Sequence, residues 1–142
     1  MEAKDLMVDI FVYFNCFDGT CITVKVTGFK DNIVYGVSEN GSHWCTIEKV
    51  EPIPLTSEIL EKNDFAYNKN NGAFVAYAEE SYSNQTVEIS LFHVKNEYNN
   101  IQLHICESRY PEEVMLHLME CNYIHELQHV FRACGIKKEI EL

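Results

Sequence analysis

The chain has 142 residues, with 11 Lys+Arg against 22 Asp+Glu and a formal net charge of -11. That length suits one domain, or two very small ones sharing an interface, and is enough to bury a core without staples. With 46% apolar and 12% aromatic residues it is no disordered acidic tail. No apolar run approaches the ~20 residues of a bilayer span, and no basic face is visible for long nucleic acid, although a few Lys or Arg residues would suffice for a small anion.

Residues 1–14 show no basic region followed by an apolar stretch and a small-residue cleavage site, so the expectation is a cytoplasmic chain without a secretory signal. Its six cysteines, Cys16, Cys21, Cys45, Cys106, Cys121 and Cys134, contain no CxxC pair and are expected as free, mostly buried thiols.

The first half reads as short strands over residues 7–14, 20–29, 32–37 and 43–47. Ile22, Val24 and Val26 share one face of the second. Asp18-Gly19, Lys30-Asp31-Asn32 and Glu39-Asn40-Gly41-Ser42 supply the turns. Strands at this spacing, with no helix between them, predict a small antiparallel barrel-like sheet over residues 1–50. Pro52 and Pro54 then mark residues 51–64 as a Pro-containing connector and short helix. Residues 51–56 are extended, Ser57 is the expected N-cap, and 58–62 are helical.

Residues 65–142 are expected to form a second antiparallel sheet and a C-terminal helix. The strands are residues 65–67, 73–78, 86–94 and 101–106. Residues 113–121 fit either period and are read as a strand. Residues 123–134 make the clearest helix. Ile124, Leu127, Val130 and Phe131 form one apolar stripe, and Gly135 stands where a C′ glycine ends a helix. Residues 136–142 read as an acidic tail, with a short final strand as one option. The fold class is therefore α+β, mostly β.

The sequence His125-Glu126-Leu127-Gln128-His129 matches HExxH. On a helix the two imidazoles share a face and can bind one Zn²⁺, with Glu126 activating a bound water as in a hydrolase. That chemistry needs a third protein ligand. Arg132 and Gly135 stand where an extended HExxHxxGxxH motif needs glycine and histidine, so only Cys121, His117, His104 or Glu139 remain. The simpler reading keeps His125 and His129 as flanks of the apolar stripe, and it is preferred: no catalytic residue, metal or cofactor is assigned. Trp44, Tyr35, Phe14 and Tyr13 are read either as an aromatic face for stacking a base or gripping a peptide, or as filling for a small core. Trp44, Arg109, Tyr110 and Arg132 are the ligand candidates, the two arginines for their planar forks.

The run Trp44-Cys45-Thr46-Ile47-Glu48-Lys49-Val50-Glu51-Pro52-Ile53-Pro54-Leu55-Thr56, with the short helix up to Phe65, resembles a family of small uncharacterised proteins from gut Bacteroidota and their phages. That family carries a similar PIPLT segment and ends in a Tyr-Val-His-x-Leu-Gln helix, matched here by residues 123–128. Its opening strand is similar to residues 9–15. Members often have Gln at the position of Glu126 and Asn at that of His129, which the resemblance implies is incompatible with a catalytic HExxH. The resemblance also implies a phage- or mobile-element setting and a counter-defence role, by binding a host protein or sequestering a small nucleotide signal. The expectation is a non-enzymatic binding protein. The runners-up are a zinc-dependent hydrolase and a structural or assembly component. No long nucleic acid and no membrane are expected as partners. A homo-oligomer would form through the helix of residues 123–134 if its stripe were only partly covered.

Overall fold

The computed structural model describes residues 7–16, 18–79, 86–94, 98–105 and 116–142 and, for 92–94, 98–105 and 116–120, the backbone. The chain forms two compact units. One is Met1–Pro54 with Tyr123–His125, the other Leu55–Asn122 with Glu126–Leu142.

The first unit is one antiparallel sheet. Its strands are β1 (Phe11–Asn15), β2 (Cys21–Lys30), β3 (Ile33–Ser38), β4 (Gly41–Thr46) and β5 (Val50–Pro52), with a 3₁₀ turn at Ile47–Lys49. The order β4-β3-β2-β1-β5 leaves β4 and β5 as edges, so the barrel-like sheet is not closed. Alternation drives the layering, because successive side chains of a strand point to opposite faces. Val12 and Phe14 of β1, Val24 and Val26 of β2, Val34 of β3, Cys45 of β4 and Val50 of β5 fall on the inner face. With Ile10 they make a buried cluster, and Ile22 and Ile47 pack against it. A β-bulge between Val26 and Gly28 breaks the strict register of β2 against β3. At Gly36 an added Cβ would stand 3.0 Å from the Val24 side chain, so a larger residue there requires Val24 to give by a few tenths of an ångström.

Two local expectations are corrected here. Residues 51 and 52 do not open a connector but belong to β5 (Val50–Pro52), with Pro52 paired to Val12 of β1. The missing proline N–H is tolerated there because β5 is an edge strand. The expected turn at Glu39-Asn40-Gly41-Ser42 joins β3 to β4, with Glu39 and Asn40 as its two central residues and a positive φ of 123° at Gly41. The N-cap of the first helix is Thr56, not Ser57: its extended backbone lets Oγ1 accept from the Ile59 N–H at 3.4 Å.

The second unit contains α1 (Ser57–Lys62), then β6 (Ala66–Asn68), β7 (Ala73–Glu79), β8 (Thr86–Val94), β9 (Tyr98–Ile105) and β10 (Leu116–Glu120), each antiparallel to the next. The chain ends with α2 (Ile124–Ala133), which starts in the first unit and continues in the second. The strand reading of the ambiguous segment holds for Leu116–Glu120, and Gly135 takes φ 64° just past α2. No final strand forms over residues 137–142. Instead the tail is held by Asn63, 5% exposed. Its Nδ2 donates to the carbonyls of Ile59 and Glu141, both at 2.8 Å, and its Oδ1 accepts from the Glu141 N–H at 2.7 Å. Ile136 and Ile140 are buried in the same segment. Among the described residues, no helix is long and apolar enough to cross a membrane.

Candidate functional site

The first unit holds a cleft of about 350 Å³. Phe14, Asn15 and Cys16 at the end of β1, Ile22 of β2, residues 42–46 of β4 and Lys49 of the 3₁₀ turn line it. The pleat explains its two characters. Inner-face Phe14 and Cys45 are buried and give an apolar floor, whereas Trp44, on the outer face of β4, is 66% exposed at the rim. Ser42, Thr46 and Asn15 add short polar groups, and His43 shares a 2.8 Å hydrogen bond with the Ser38 hydroxyl. The Asn15 amide donates to the Glu51 carboxylate at 2.6 Å. In a chain with 22 Asp+Glu, the described residues of the lining include no carboxylate, and the charged one among them is Lys49. Burial, followed by the neighbouring Cys16, pushes the Cys45 thiol up to about 11, so it lines the floor as a neutral apolar group.

The expected aromatic face is divided by the same pleat. Tyr35 and Trp44 are direct cross-strand partners on the outer face, 41% and 66% exposed. Phe14 is in the core, and Tyr13 is half-buried. Of the four ligand candidates, Trp44 lines the cleft, whereas Arg109 and Tyr110 lie outside the described residues. Arg132 is exposed in the last turn of α2, where a cation complements the helix dipole. The sequence reading missed Lys49, Asn15, Ser42 and Thr46. Their shared location depends on β4 being an edge strand, which no local pattern announces.

Glu126 and His125 of the HExxH motif have structural partners. The Glu126 carboxylate, in the first turn of α2, accepts the Asn122 backbone N–H at 2.7 Å, a variant of the capping box. The His125 side chain is buried and stacks on Tyr123, with ring centroids 5.8 Å apart and planes at 22°. Among the described residues no three His, Cys, Asp or Glu side chains gather to hold a metal ion. The stripe expected as an oligomer contact is already covered: Ile124, Leu127, Val130 and Phe131 are all buried within the chain. Among the described cysteines, all five are free. Cys45 and Cys121 are buried, Cys16 and Cys134 half-buried and Cys21 exposed, while Cys106 lies outside the described residues.

No protein-family model, curated protein or solved structure matches the chain.

Proposed function

We propose that this protein is a non-enzymatic binding protein whose ligand site is the cleft beside β4. One observation carries the reading: an apolar hollow with an exposed indole at its rim, a lysine in its wall and no carboxylate among the described residues that line it, in a chain otherwise strongly acidic. Such a hollow suits a ligand group that is flat or apolar and bears an anionic substituent, with Trp44 supplying the stacking surface and Lys49 the counter-charge. Pockets that bind small ligands combine an apolar lining with a few placed polar groups, and Ser42, Thr46 and Asn15 are of that kind. The resemblance to the phage-associated family makes a host protein or a small nucleotide signal the natural source of this chemistry, in a counter-defence setting.

Trp44 is the chain's single tryptophan, so intrinsic fluorescence reports on the site without labelling. The test screens nucleoside monophosphates, cyclic dinucleotides and acidic-apolar peptides by melting temperature and Trp44 emission. A ligand of the cleft stabilises the folded chain by mass action, by about 2.7 kcal/mol at one hundred times its Kd, and so raises the melting temperature. It also shifts Trp44 emission, and Trp44→Ala and Lys49→Glu weaken it. A panel in which no member moves either signal at about 1 mM, where even a 4 kcal/mol complex is half-formed, overturns the reading.

A further inference from the structure

The two edges of the first sheet are built differently. Edge strands expose unpaired backbone groups, and proteins blunt them by shortness, charge, proline or bulges. Strand β5 uses three of these devices, being three residues long with the sequence Val-Glu-Pro. Strand β4 uses none: its six residues, Gly-Ser-His-Trp-Cys-Thr, include no Lys, Asp, Glu or Pro, and its register against β3 runs without a bulge.

The register also says which backbone groups point out. Ser38 and Gly41 pair directly across a two-residue turn. So close to the turn, a ladder pair exchanges both of its hydrogen bonds, and bonding then alternates along an antiparallel strand. At the far end the Ile47 N–H donates to the Asn32 carbonyl at 3.0 Å, in phase with that alternation. Gly41, His43 and Cys45 therefore bond to β3, and the backbone N–H and C=O groups of Ser42, Trp44 and Thr46 point away from it. All three of those residues line the cleft.

We infer that β4 is a strand acceptor: an extended segment of a partner protein pairs with its free edge and places alternate side chains in the cleft. This rests on the cleft being the binding site and names its occupant. A side chain opposite Cys45 enters toward the floor of Phe14 and Ile22, and one opposite Trp44 lies on the outer face against the indole. Charge complementarity sets the rest. With Lys49 in the wall and no carboxylate among the described lining residues, the segment carries apolar residues at alternate positions and an acidic residue near the Thr46 end.

Thr46 offers a variant that removes only the edge donor. Its φ of -75° is one that proline adopts, and its N–H is not part of the ladder with β3. The experiment uses the full chain and a hexapeptide library alternating Val, Ile or Phe with Thr, with one Glu at either end. Binding is followed by Trp44 emission and by amide exchange. The expected result is peptide-dependent protection of the Trp44 and Thr46 amides. Affinity should be about tenfold lower in Thr46→Pro than in Thr46→Val, which loses the same hydroxyl but keeps the backbone N–H, the difference being one good hydrogen bond. Melting of the unliganded Thr46→Pro protein checks that it folds.

Peptides that bind Thr46→Pro as well as Thr46→Val overturn the inference, because side chains alone would then hold them. Binding of nucleotides but of no peptide overturns it while leaving the cleft as the ligand site. If neither class binds, the inference and the binding reading fall together. Protection of the same amides in a dimer of the free chain makes the occupant a second copy and also overturns it.

Discussion

The first turn of α2 and the free edge of β4 invert what their sequences advertise. Helix α2 carries two histidines and a glutamate at metal-site spacing, and its first turn uses two of them locally: Glu126 caps the backbone at Asn122, and His125 is buried against Tyr123. The edge carries Gly-Ser-His-Trp-Cys-Thr, with no motif at all, yet it borders the cleft and turns three residues' backbone groups outward. Side-chain chemistry legible as a motif can be consumed by helix capping and burial. Recognition surface can come from the main chain, which a motif search does not see.

The sharpest way to break this contrast is to separate stability from binding. Leu127, inside the motif, is fully buried, and Leu127→Ala should cost about 2–5 kcal/mol by lost transfer energy and the cavity left behind. Trp44→Ala removes an exposed side chain and one cross-strand pair with Tyr35, so it should cost below about 1 kcal/mol while removing ligand binding. Chemical denaturation of both variants, with ligand titration of the second, checks the pair. A Trp44→Ala protein destabilised as much as Leu127→Ala would make Trp44 a structural residue and dissolve the contrast.

Much of the fold was readable in the sequence because it rests on period. The β-branched run of residues 20–29, the turn residues Asp31 and Asn32, and the stripe Ile124, Leu127, Val130 and Phe131 each state their own conformation. The two antiparallel sheets and the C-terminal helix follow from them. Pro52 misled because proline marks both linkers and edge strands, and only pairing to Val12 decides between them. Thr56 was passed over for Ser57 because either residue can cap a helix, and the choice is made by backbone geometry at Thr56. At the site, Trp44 was legible as an aromatic. Its companions were not, because Asn15 and Ile22 reach the cleft from strands that are not β4's neighbours in the sheet, a long-range property, while Lys49 follows from the 3₁₀ turn after β4. The helical spacing of His125 and His129 was equally legible, but spacing is silent about what Glu126 bonds.

Titration gives a second, smaller separation. Burial, and then the charge of Glu126, pushes the Cys121 thiol up to about 12. Its ordinary value is near 9. A raised folded-state value means the folded chain keeps the proton that the unfolded chain releases. This stabilisation is therefore complete below about pH 9 and is lost as pH rises toward 12, by up to about 1.4 kcal/mol per pH unit. Denaturation series between pH 8 and 10.5 should show a steeper alkaline decline for wild type than for Cys121→Ala, measured as a difference so that lysine and tyrosine titration cancels. Cys45 of the cleft, raised to about 11, gives a weaker version of the same effect. Equal slopes in wild type and Cys121→Ala would mean that the thiol beside the α2 turn is hydrated, contrary to its burial.

The smallest effect is the most diagnostic for the motif. If Glu126 acts by accepting the Asn122 N–H, Glu126→Ala leaves that donor without its acceptor and costs about 0.5–2 kcal/mol, the usual loss for a helix N-terminal cap. Glu126→Gln keeps a carbonyl oxygen of the same reach and loses only the charge at the positive end of α2, so it should cost about 0.3–1 kcal/mol. A cap therefore ranks wild type, Gln, Ala in falling stability, and added Zn²⁺ moves none of the three. A general base at a metal site ranks them differently: Gln would fail as completely as Ala in function, and Zn²⁺ would stabilise the chain through His125 and His129. Thermal melts of the three proteins with and without Zn²⁺ decide between these orders, and a metal-dependent rise in wild type would return the HELQH turn to the list of functional sites.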